Sequence, residues 1–107
     1  MNINELTIKI RDWSIDKNLD TADSNKQMLK LMEEVGELAQ GLAKDNREQV
    51  VDSIGDVYVV LTILSQQLGL RIEDCVQYAY SEISNRKGEM INGVFVKEED
   101  LKELGME

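Results

Sequence analysis

Histidine is absent from this chain of 107 residues. That removes imidazole metal ligands, Ser-His triads and histidine general bases together. Proline is absent as well, so nothing forces a break inside a long helix. A single cysteine, Cys75, rules out an intrachain disulfide and fits a cytoplasmic setting. Aromatic residues make up only 5% of the chain, leaving Leu, Ile and Val as the bulk of the apolar set. Positive charge is scarce: 12 Lys and Arg against 21 Asp and Glu give a net charge of −9. Such a balance disfavours nucleic acid and anionic membranes as partners. It leaves room for a small polyanion bridged to the protein by a cation. No apolar run is long enough to span a bilayer, and the opening MNINELTIKI lacks the basic and apolar regions of a signal peptide.

The length fits one domain over residues 1–107 with a modest core. Pairing of subunits would extend that core by burying helix faces that a lone small chain exposes. Ile3, Leu6, Ile10 and Trp13 fall at helical spacing, which predicts a first helix over about Asn4 to Asp16. Lys17 to Asp23 is polar and reads as a loop. Ser24 with Gln27 fits a capping box for a second helix running to about Ala43. Its core stripe is Met28, Leu31, Val35, Leu38 and Leu42. Asp45 or Asn46 would cap a third helix ending near Leu68, with Gly69 as its C-terminal cap. A fourth helix is predicted over about Ile72 to Lys87, with Ile72, Val76, Ala79 and Ile83 as its stripe. Gly88 and Gly93 bracket a turn, and Val94 to Val96 form an extended run too short to be a sheet by itself. Glu98 to Leu104 suits one last short helix, with acids in its first turn. The expected fold is therefore all-α: four helices in a bundle plus a short C-terminal appendage.

At about 100° per residue, Lys30, Glu33, Glu34 and Glu37 share an arc of roughly 100° on the second helix. Like charges at these spacings repel, and a solvated acidic face is the plain reading of that helix alone. The third helix adds Asp52 and Asp56, four residues apart on a face that continues as Val59 and Ile63. Val50, Val51, Ile54, Val57, Leu61 and Leu64 cover most of its remainder. A helix apolar nearly all round is expected to be buried, and a buried carboxylate needs a partner. Lys30 alone does not balance four or five acids. Oxygen donors without nitrogen or sulfur favour Mg²⁺, with Mn²⁺ as the second choice. A di-iron bundle is set aside because its Glu-x-x-His pairs need histidine.

The run Lys30-Leu-Met-Glu-Glu-Val-Gly-Glu-Leu38, followed by Asp52-Ser-Ile-Gly-Asp-Val57, resembles the MazG-like all-α nucleoside triphosphate pyrophosphohydrolases. That family carries Glu-x-x-Glu on one helix and Glu-x-x-Asp on the next. Glu34 and Glu37 match the first half, and Asp56 matches the last acid. Ser53 stands where the family has its second-motif Glu, and Asp52 is the nearest substitute. The resemblance runs from Trp13 to about Phe95 and is nearest to compact single-domain versions of bacteria and phages. It implies water attack on the α-phosphorus of a nucleoside triphosphate, giving monophosphate and pyrophosphate. Glu34, Glu37, Asp56 and Asp52 are the implied metal ligands. Lys30 and the segment Asn85, Arg86, Lys87 match family residues that meet the phosphates. For Arg86 and Lys87, compensation of a helix C-terminus is the alternative.

Glu33 is a candidate for orienting or deprotonating the water, or for a further ligand. Trp13 suits stacking on a base or a place in the core. Gln27 and Asn25 suit a base edge or the helix cap. Cys75 and the methionines from Met28 to Met32 read as packing, and Tyr58, Tyr78 and Tyr80 as candidates for a subunit interface in a homodimer or homotetramer. The expected function is Mg²⁺-dependent pyrophosphohydrolysis. The alternative is a non-catalytic helical module that binds a nucleotide or a protein, for which Ser53 is the best support.

Overall fold

The computed structural model describes residues 1–105. Five helices and one short hairpin follow in order: α1 (Ile3–Asp16), α2 (Ser24–Ala43), α3 (Arg47–Gln67), α4 (Ile72–Ser84), β1 (Gly88–Ile91), β2 (Val94–Lys97) and α5 (Glu98–Glu103). The chain is predominantly helical, as the apolar periodicity predicts. It divides into two compact units, Met1–Ile72 and Glu73–Glu107.

In the first unit, side-chain caps set where helices begin. The Glu5 backbone N–H donates to Asn2 Oδ1 at 2.9 Å. Asn46 caps α3 by accepting from the Gln49 N–H at 3.2 Å. The cap of α2 corrects the expected capping box: Asp23 accepts the Asn25 N–H at 2.9 Å, and Ser24 is already helical. Three helices stop on a left-handed residue, namely Asn18, Asp45 and Gly69, with φ of 60°, 53° and 73°. After each, an N–H reaches back five residues: Leu19 to Ser14, Asn46 to Gly41, Leu70 to Ser65. These bonds occupy carbonyls that a helix end leaves unpaired.

The turn at Asp45 folds α3 back along α2. Gly41 is buried at the crossing, where a Cβ would meet Val50 N and Gln49 Cγ at 3.2 Å. Gln49 Nε2 ties the pair by donating to Glu37 O at 2.8 Å and Gln40 Oε1 at 3.0 Å. Helix α1 lies on α3 through polar contacts. The Thr7 and Tyr58 hydroxyls are 2.6 Å apart, and Gln67 Nε2 donates to Leu19 O at 2.8 Å. Tyr58, a candidate for a subunit interface, thus has a partner within its own unit.

The expectation of a buried α3 needs correction. Val60 and Ile63 are buried, yet Val51 is 62% exposed and Ile54 56%. On α2, Met28, Val35 and Leu42 are exposed as well. The reason is geometric: α3 has α1 and α2 as neighbours within its unit, and two neighbours cannot cover an all-round apolar helix. Among the described residues, no single helix is long and apolar enough to cross a membrane.

In the second unit the fourth helix ends at Ser84, not Lys87. Asn85 to Lys87 lie between helix and strand. Gly88 opens a strand rather than a turn, and Gly88–Ile91 pairs antiparallel with Val94–Lys97. The extended run of Val94 to Val96 therefore belongs to a two-stranded sheet. Asn92 and Gly93 both have positive φ, 51° and 81°, as a two-residue hairpin turn requires. Gly88 admits no side chain, because a Cβ there would collide with the Val96 carbonyl oxygen. Helix α5 packs on this hairpin and buries Leu101.

Candidate metal centre

The α2–α3 hairpin brings three carboxylates together. Glu34 and Glu37 occupy one face of α2, and Asp56 faces them from α3. One oxygen from each lies within 4.8 Å of the others. Glu34 is only 5% exposed, Asp56 is half-buried, and Glu37 sits at the open side.

Glu34 is the informative member. Lys30, one turn earlier, places its ammonium 3.2 Å from Glu34 Oε1 and 3.6 Å from Glu33 Oε2. Glu34 Oε2 is buried and has no hydrogen-bond partner. A buried carboxylate oxygen without a donor is costly, so this atom calls for a cation. Hard oxygen donors on two packed helices suit Mg²⁺ or Mn²⁺.

The electrostatics agree with that fit. Burial raises the Asp56 pKa above its ordinary value, and the charges of Asp52 and Glu34 raise it further. The charge of Glu34 is the main cause of a raised Glu37 pKa, with burial second. Lys30 is raised as well, chiefly by its hydrogen bond to Glu34. Glu37 and Asp56 therefore hold protons more tightly in the folded chain than in the unfolded one. Stability then falls as pH rises through the raised values and grows as pH is lowered through them. In the presence of a chelator, the thermal midpoint should climb between neutral pH and the upper edge of the ordinary carboxylate range. Asp56→Asn should flatten that slope, and an unchanged slope would show that the cluster is not its source.

The remaining acids stand outside the trio. Asp52 is exposed; it acts on Asp56 through charge and hydrogen bonding but is not one of the three clustered ligands. Ser53, where the family motif has its Glu, is 2% exposed. Glu33 is exposed and contacts Lys30.

A pocket of about 460 Å³ adjoins the trio. Glu34, Asp56 and Lys30 form one part of its lining, and Trp13, Val59 and Ile63 its apolar walls. Trp13 is half exposed and also lines a smaller cavity with Leu6, Lys9, Ile10 and Val59. Gln27 lines the pocket too, joined by five residues that helical spacing did not single out for the site: Leu19, Ala22, Asp23, Lys26 and Val60. The one sequence signal for Lys26 was its position four residues before Lys30. Asn85, Arg86 and Lys87 belong to the second unit. There they line a polar cavity of about 530 Å³ with Glu82, Lys97, Glu98 and Glu99.

Comparison with known proteins bears on this arrangement. A family model described as the MazG-like family matches residues 15–101. An uncharacterized 18.2 kDa protein from the rep-hol intergenic region of Haemophilus phage HP1 (strain HP1c1) is 43% identical over 67 residues. That match takes in 62% of this chain and 41% of the phage protein, so the chain spans less than half the length of that relative. No solved structure matches. The family match extends across all three clustered carboxylates and both helices that carry them, and on that ground the chain belongs to the MazG-like family.

Proposed function

We propose that this protein is a divalent-cation-dependent nucleoside triphosphate pyrophosphohydrolase, cleaving its substrate to the monophosphate and pyrophosphate. Membership of the MazG-like family suggests activity of the nucleotide pyrophosphohydrolase type. The observation that carries the reading is the carboxylate of Glu34. One of its oxygens is held by Lys30, and the other is buried without a partner beside Glu37 and Asp56.

Glu34, Glu37 and Asp56 would hold Mg²⁺ or Mn²⁺, which supplies charge neutralisation for the phosphates and a more acidic bound water. Lys30 fixes the Glu34 carboxylate and adds a positive charge next to the phosphate position. Glu33, exposed and able to accept a proton, is the candidate for orienting or deprotonating the attacking water. Asp52 stands close enough to Asp56 to act on the site through a water. Trp13, half exposed in the pocket lining, is the candidate for stacking on the base. A second copy of this chain, in a dimer or tetramer, is the proposed cover for the apolar residues exposed on α2 and α3.

The test is a panel of canonical, deoxy and damaged nucleoside triphosphates with and without Mg²⁺. Monophosphate and pyrophosphate should appear in equal amounts and only with the cation. No product from any of them would refute the proposal. Ser53 favours a second reading, a module that binds nucleotide without turnover, because a buried serine stands at a ligand position of the family motif. Such a module would retain nucleotide affinity after chelation.

A further inference from the structure

Apolar packing is thin where α2 and α3 bring their carboxylates together. At spacings of four and three residues, Gln49, Ser53 and Asp56 share one face of α3. The buried apolar residues of that helix, Val60 and Ile63, lie beyond Asp56. The buried residues of α2 are Glu34 and Gly41. Repulsion among Glu34, Glu37 and Asp56 acts at this same level to part the helices. One side chain crosses the seam between the Asp45 turn and the trio. Gln49 Nε2 donates to Glu37 O at 2.8 Å and to Gln40 Oε1 at 3.0 Å. A helical carbonyl keeps a second lone pair for such a donor. The far end of the Gln49 amide is held as well, with Asn46 Nδ2 3.5 Å from Gln49 Oε1. Gly41 opens the path, since a Cβ there would meet Gln49 Cγ at 3.2 Å.

We propose that Gln49 is a positioning residue for the cation site: by fixing the Glu37 carbonyl, it holds that turn of α2 where Glu37 and Asp56 can share one ion. The inference rests on the cation-binding reading above and adds to it a residue outside the three clustered ligands. Asp56 lies seven residues beyond Gln49, about 10 Å along the helix at roughly 1.5 Å per residue. The amide tie therefore acts through the backbone of α2 and not on a carboxylate. Glu37 has most need of it. Its side chain is exposed and repelled by the charge of Glu34, so its backbone is the firm part of its placement. Hydrogen bonds behind a metal ligand narrow the geometries it samples before it meets the ion.

The competing explanation is that Gln49 only tightens the fold. Gln67 supplies a matched control, because its Nε2 also donates to a backbone carbonyl, Leu19 O, at 2.8 Å, away from the carboxylates. Gln49→Met and Gln67→Met each keep the length of the side chain and remove the donor. The experiment titrates chelator-stripped protein with Mn²⁺ and with Mg²⁺ by calorimetry, without nucleotide, at a temperature where circular dichroism shows each variant folded. Gln49→Met should raise the cation Kd about fivefold, the size of one neutral hydrogen bond. Gln67→Met should leave it within about twofold, as expected of a distant site. If Gln49→Met does not fold, Gln49→Asn serves in its place: it keeps the amide, withdraws it by one methylene from Glu37 O, and should show the same loss. An unchanged Kd in the Gln49 variant, or an equal loss in Gln67→Met, overturns the assignment of Gln49 and leaves the cation-site reading standing. A selective loss in a protein that turns over no triphosphate supports Gln49 and refutes the hydrolase reading. Absence of cation binding by the wild type overturns both.

Discussion

Glu34→Gln is expected to abolish cation-dependent hydrolysis while leaving the chain folded, with kcat/KM falling on the order of 10³-fold. The substitution keeps the size of the side chain and a carbonyl oxygen for Lys30, whose ammonium lies 3.2 Å from Glu34 Oε1. What it removes is the negative charge on the buried oxygen that has no other partner. Loss of cation-borne stabilisation of a phosphoryl transition state costs several kcal/mol, and each 1.4 kcal/mol or so is a factor of ten in rate. Steady-state kinetics with saturating Mg²⁺, alongside circular dichroism of the variant, provide the check. A residual rate within about threefold of wild type, well inside one factor of ten, would remove Glu34 from the site. If the cluster were merely a solvated acidic face, the same substitution would relieve repulsion and change no activity.

The second large effect is on stability. Glu34, Glu37 and Asp56 are forced together by the packing of α2 on α3, and burial and mutual charge raise Asp56 and Glu37. A cation that binds only the folded arrangement stabilises it by mass action, about 2.7 kcal/mol at roughly a hundredfold excess over its dissociation constant. A domain of this size gains about 4–8 °C per kcal/mol. Mg²⁺ or Mn²⁺ should therefore raise the thermal midpoint by roughly 10–20 °C at neutral pH, and chelator should reverse the rise. Glu37→Gln should abolish most of the shift. If the rise is equally large in Glu37→Gln, the cation acts elsewhere.

Much of this was legible from helical spacing. The acids lie on facing helix surfaces because their intervals of three and four residues put them there, and Val59 and Ile63 extend the Asp56 face into the pocket wall. Gly69 and Asn46 are found at the helix boundaries their chemistry suggests. Other features depended on tertiary neighbours. Helix α3 is apolar almost all round, but periodicity reports what a helix needs covered, not whether one chain covers it. Spacing alone carries the fourth helix through to Lys87 because no breaker precedes Gly88, yet strand pairing claims the backbone from Gly88 onward, and Lys87 O already accepts the Glu98 N–H at 2.8 Å. Asp23 was hidden by its own cap: Ser24 with Gln27 matches a familiar N-terminal signature one residue later. It lines the pocket from the loop between α1 and α2, which opens on the left-handed residue Asn18.

The tight turn at Asp45 has a consequence for how the site comes apart. All three clustered acids lie on the two helices that this turn joins, so closing them requires only a short stretch of chain, and loop-closure cost grows slowly with length. Trp13 arrives on a different helix, held to α3 by the Thr7–Tyr58 hydroxyl contact and the glutamine bonds to Arg11 and Leu19 carbonyls. Local opening of α1 would remove the stacking wall while leaving the carboxylates in register. Under the proposed function, cation binding would rest on the α2–α3 pair and base stacking on α1, and mild denaturant should then erase the second before the first.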